Sequence, residues 1–150
     1  MSDLQVRLFG DDASIIRIGE ALLDCSLPRE AWTHEAHLAA CTWIVRDRPD
    51  IVPEREMASI ISAFNVLVGT INDDSQGYHE SITQVYIAAV HAHLNEMDGQ
   101  GTLVEAVNAL LLSPRGRRDL PLRFYSRELL FSVAARRGFV KPDRTGLSEI

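Results

Sequence analysis

Apolar residues recur at steps of three and four along nearly the whole chain, and nowhere do they alternate in twos over the length of a strand. That periodicity predicts an all-α fold. Ala13 to Cys25 sets Ile15, Ile16, Ile18, Leu22 and Leu23 mostly on one side, and Pro28 bars any continuation. Thr33 suits an N-cap before HEAHLAACTWIVRDR, where His34, His37, Leu38, Cys41, Ile44 and Val45 keep helical spacing up to Pro49. Pro53 fits the first turn of a third helix carrying Met57, Ile60, Ile61, Phe64, Leu67 and Val68 as far as Gly69. NDDSQG (72–77) is the clearest turn. A fourth helix is expected from Tyr78 to Met97, ended by DGQG, and a fifth from Leu103 to Leu112, stopped by Ser113-Pro114. SPRGRRDLP (113–121) reads as an exposed basic loop, loosened by Gly116, and Leu122 to Arg137 as helical, with Gly138 as a left-handed cap. Arg136 and Arg137 then serve the final-turn carbonyls. With residues 1–11 and 143–150 irregular, the expected fold is one domain over 1–150, an irregular antiparallel bundle of five to six helices.

Composition narrows the class. At 46% hydrophobic and 24% charged residues the chain can form a packed core, which excludes a disordered or fibrous protein. No apolar run reaches the roughly 18 residues of a membrane span, and MSDLQVRLFGDD lacks a secretory pattern, so a cytoplasmic protein with no membrane partner is expected. Cys25 and Cys41 are too few for a disulfide framework. The net charge of −6 argues against nucleic acid as a partner. It is unevenly spread: residues 1–112 carry −11 and residues 113–144 carry +6. An anionic small molecule near Arg115, Arg117 and Arg118 is one reading of that asymmetry, and packing of the two regions against each other is another.

Nucleotide and hydrolase signatures are absent: there is no GxxxxGK[ST], GxGxxG, HExxH or GxSxG. Histidine carries the signal instead. His34 and His37, a step of three apart, lie about 60° apart on one helical face, and it is the apolar face. His79 begins the fourth helix beside that helix's apolar stripe. Three inward imidazoles at two helix starts can converge, and the positive end of a helix favours the neutral ring that binds metal. The candidate metal ligands are therefore His34, His37 and His79, for a divalent transition metal (zinc, iron, nickel or manganese). The alternatives are a metal-free polar pocket and purely structural hydrogen bonding. Glu35 and Glu80 are turned away from their neighbouring histidines and fit solvent-facing first-turn positions. Glu80 and Tyr78 are the nearest candidate proton carriers for catalysis, and Thr83 and Arg55 are candidate cofactor-binding residues. His91 and His93 read as structural.

WTHEAHL (32–38), GYHESIT (77–83) and YSRELLFSVAARRGFVKPD (125–143) together resemble a bacterial family of small helical proteins. Its segments follow TH..HL, YHE.[IL]T and ARRGFV.PD patterns. The resemblance spans most of the chain and implies joint importance of His34, His37, His79, Glu80 and Thr83, without supplying a substrate. Two functions remain open: metal-dependent small-molecule binding or chemistry at the histidines, and a metal-free interaction or regulatory module using the basic 115–127 segment. Oligomeric state is not legible.

Overall fold

The computed structural model describes residues 5–150. Five long helices form the body: α1 (Asp12–Leu23), α2 (His34–Asp47), α3 (Pro53–Leu67), α4 (Glu80–Met97) and α5 (Leu103–Leu112). Three short ones close it: α6 (Pro121–Phe124), α7 (Arg127–Leu130) and α8 (Val133–Arg137). No strand occurs among the described residues, so the all-α, single-domain expectation holds. No described helix is long and apolar enough to cross a membrane.

Local chemistry sets the helix starts. Asp11 accepts from the Ser14 N–H at 2.9 Å, Thr33 from Ala36, and Thr102 from Glu105, whose carboxylate in turn accepts the Thr102 N–H. The start of α4 is unusual. His79 itself is the N-cap, its Nδ1 accepting the Ile82 N–H at 3.1 Å, so the helix begins two residues after the expected Tyr78.

α2 is the central element, packed by α1, α3, α4 and α5. Nine of its fourteen residues are buried, including Glu35 and Thr42. One core gathers Ile15, Leu38, Ile44, Met57, Ile87, Val107 and Leu110 around it. A second joins Val85 and Ala89 of α4 to Leu120, Phe124, Tyr125 and Leu130. The α1–α2 contact is close because α1 offers Gly19 to Trp43: a Cβ on Gly19 would stand 2.1 Å from the indole Cε3.

The C-terminal third departs from expectation in four ways. The helix expected from Leu122 to Arg137 is broken at Ser126 and Ser132, whose hydroxyls accept from the N–H groups of Leu129 and Ala135 and start new helices. Gly138 has φ −153°, extended and not left-handed. Segment 113–121 is not a loosened loop, because Gly116 is buried in a 3-10 turn, Pro114–Gly116, where a Cβ would stand 2.3 Å from the Leu110 carbonyl oxygen. Glycine is there for close packing. Arg136 and Arg137 do not serve final-turn carbonyls either. They reach back to the 72–77 turn, Arg136 Nη1 donating to the carbonyls of Gly77 (3.0 Å) and Tyr78 (3.2 Å), and Arg137 pairing with Asp74.

Candidate ligand-binding site

α2, α3 and α4 leave a cleft between them. Two cavities of about 410 and 460 Å³ share Trp32, His37, Ile61, Ile82 and Thr83. His37 therefore sits between them. Its backbone N–H and its Nδ1 both approach the Thr33 carbonyl, at 3.0 and 2.7 Å. A carbonyl can only accept, so Nδ1 carries the proton and Nε2 is the free lone pair. No described residue bonds to Nε2, which is left to the cleft that the ring lines. The Trp32 indole stacks on the imidazole with centroids 3.7 Å apart, fixing its plane. Burial pushes His37 down to about 4, opposed by the Thr33 carbonyl.

His34 shares the first cavity but is tied differently. Its Nε2–H donates to the Gly116 carbonyl at 2.8 Å, and its ring meets Tyr86 edge-on at 5.6 Å. Burial lowers its pKa as well. The Tyr86 hydroxyl donates to the Arg117 carbonyl, so the 3-10 turn is fastened to α2 and α4 together. Leu38, Cys41, Met57 and Ile87 supply apolar wall. Cys41 is buried, which pushes its thiol up to about 12.

The three histidines do not form a ligand set. His79 uses both ring nitrogens on the backbone: Nδ1 accepts from Ile82, and Nε2–H donates to the Leu130 carbonyl at 2.7 Å. Two opposed backbone partners leave it no lone pair for a metal. Among the described residues no group of three His, Cys, Asp or Glu side chains is placed to hold one. The physical reason is its position: as an N-cap, His79 lines the second cavity but turns Nδ1 back onto its own helix and Nε2–H onto the Leu130 carbonyl.

The other expected residues divide. Tyr78 and Thr83 line the cleft, Tyr78 in the second cavity and Thr83 in both. Thr83 donates to the His79 carbonyl at 2.9 Å, not to its ring. Glu80 lines neither cavity; it accepts from the Tyr78 hydroxyl at 2.5 Å and from Gln84. Burial, then Glu80, raise the Tyr78 pKa. Arg55 is exposed on α3 and lines neither cavity. His93 Nε2–H donates to the Ala106 carbonyl at 3.0 Å as a buried structural contact, and His91 pairs with Glu54 at the surface.

Glu35 reverses its expectation. It is 4% exposed, beneath the half-exposed Arg118, whose guanidinium lies 3.6 Å from Oε1. Burial raises its pKa, but the backbone N–H groups of Glu35 and Arg7, with Arg118, outweigh that and hold it below the usual carboxylate range. A helical wheel assigns Glu35 to an outer face, but at the start of α2 that face is covered by Arg7 and Arg118. Of the basic-segment arginines, Arg115 is spent on Glu96 and the Ile150 carbonyl, and Arg117 on Asp119. Arg118 alone of the three lines the cleft. Trp32 was passed over as a site residue although it opens the WTHEAHL segment that carries both α2 histidines.

No family model, curated protein or solved structure matches the chain.

Proposed function

We propose that this chain binds a small molecule in the cleft between α2, α3 and α4, with His37 Nε2 as the polar contact at its centre. The observation that carries this reading is the fixed tautomer: Thr33 holds the Nδ1 proton, so an unpartnered acceptor is presented among Trp32, Ile61 and Ile82. A mostly apolar cleft of a few hundred Å³ with one or two oriented polar groups is the usual form of a small-molecule site.

Electrostatics favour recognition over proton transfer. A general base works best with a pKa near the ambient pH, and His37 at about 4 is far below it. Cys41, at about 12, stays a protonated thiol and a poor nucleophile. Burial raises Tyr78 and Tyr86 above their ordinary values too. These groups are neutral at pH 7, suited to hydrogen bonding in place. Of the three candidate histidines, a divalent metal would find a free nitrogen on His34 and on His37 but not on His79, both of whose nitrogens are committed.

The test uses phenethyl alcohol, which can donate to Nε2, and phenethyl methyl ether, which cannot, titrated by calorimetry. The alcohol should bind about 3- to 10-fold more tightly, as one neutral hydrogen bond provides. His37→Phe should equalise the two, and Ile61→Trp, which fills the shared part of the cleft, should abolish both while circular dichroism stays helical. Binding that ignores Ile61→Trp, or no binding at all, would refute the proposal.

A further inference from the structure

Every charged side chain lining the two cavities is an arginine: Arg118 in the first, Arg29 and Arg136 in the second. No carboxylate lines either one. Arg118 differs from Arg115, Arg117 and Arg136. Arg115 and Arg117 are paired bidentately with Glu96 and Asp119, and Arg136 donates to two carbonyls, while Arg29, at the second cavity, is, like Arg118, without a side-chain hydrogen bond among the described residues. Arg118 has no hydrogen bond among the described residues. Its nearest acid, Glu35 at 3.6 Å, is within ion-pair distance but beyond hydrogen-bond reach and lies buried on its inner side, while the Arg118 side chain is 52% exposed at the cavity mouth.

The cleft thus has a neutral, apolar interior and an acceptor at its centre, and at the mouth of the cavity walled by Leu38, Met57, Ile61 and Ile87 it has one cation with uncommitted donors, Arg118. We propose that its ligand is a carboxylic acid with an apolar body, the carboxylate held by Arg118 and the body against Leu38, Met57, Ile61 and Ile87. A planar guanidinium fork matches a carboxylate in two parallel hydrogen bonds, whereas the buried Glu35 keeps Arg118 at the mouth from behind. Because Glu35 is sealed under Arg118, its charge does not confront the ligand directly. The inference rests on the cleft being a small-molecule site, as proposed above, and adds the charge of the ligand and the residue that reads it.

Hydrocinnamate and its neutral isostere hydrocinnamamide separate the two statements. Calorimetry on the wild-type chain at low salt should show the acid bound about tenfold more tightly than the amide, the factor given by one charge-assisted contact. Arg118→Gln should bring the acid down to the amide and leave amide binding unchanged, and Arg118→Lys, which keeps charge but not the fork, should fall between. Equal binding of acid and amide in the wild type, or a preference that survives Arg118→Gln, overturns the carboxylate inference and leaves the cleft reading standing. A preference that disappears in Arg29→Gln or Arg136→Gln instead also overturns it, since the acid would then sit at the other mouth. Binding of neither probe overturns the cleft reading and this inference together.

Discussion

Acid should destabilise this protein through His37 well before the bulk of its carboxylates are protonated. In the unfolded chain the imidazole titrates near 6.5, and in the folded chain burial, the Thr33 contact and neighbouring His34 leave it at about 4. A histidine with a depressed folded pKa binds fewer protons folded than unfolded between those two values. Stability is therefore complete above about pH 6.5 and is lost as pH falls towards 4, with a limiting slope of about 1.4 kcal/mol per pH unit. Across the interval this amounts to on the order of 3 kcal/mol, a large part of the roughly 5–15 kcal/mol that holds a domain of this size together. His34 and His79, also lowered by burial, add to the loss in the same direction. A comparison with His37→Gln cancels their share. Urea unfolding followed by circular dichroism at about pH 7, 6, 5 and 4.5 yields the stability of each protein. At neutral pH the variant should be less stable, having lost the Trp32 stack. The gap should then close or reverse by about 2–3 kcal/mol as pH falls. Parallel curves for the two proteins would refute the assignment of a partly buried, neutral His37.

Three further outcomes follow from particular contacts. His79→Ala removes the α4 N-cap and orphans the Leu130 carbonyl, and should lower unfolding free energy by about 2–4 kcal/mol, whereas His79→Asn, which can cap but cannot reach Leu130, should recover about 1 kcal/mol. Equal stability of the two variants would contradict the capping role. Gly19→Ala forces a methyl into the Trp43 ring and should cost about 1–3 kcal/mol or more, read as a fall in Tm of several degrees that Trp43→Leu partly reverses. Elemental analysis of untagged protein purified without chelator should find transition metal well below one per chain; a stoichiometric metal lost on His79→Ala would restore a three-histidine centre.

What the sequence determined alone is whatever depends on a residue's own neighbours along the chain. Helical periodicity, the Thr33 cap, Pro53 in a first turn and the 72–77 turn all act within four residues, and the five long helices appear where those signals put them. Even the broken C-terminal third was written locally, in Ser126 and Ser132, although apolar spacing obscured it. His34 and His37 on one face is likewise a local property, and both do line the first cavity. Tertiary structure decided everything that needed a distant partner. Whether Glu35 meets water depends on Arg7 and Arg118, 28 and 83 residues away in number, which bury it. Whether His79 has a spare nitrogen depends on the Leu130 carbonyl, and which of Arg115, Arg117 and Arg118 remains free depends on where Glu96 and Asp119 stand. A helical wheel fixes the direction in which a side chain leaves its own helix, but only the packing of other segments against that helix decides whether it meets solvent, a carbonyl or a cavity.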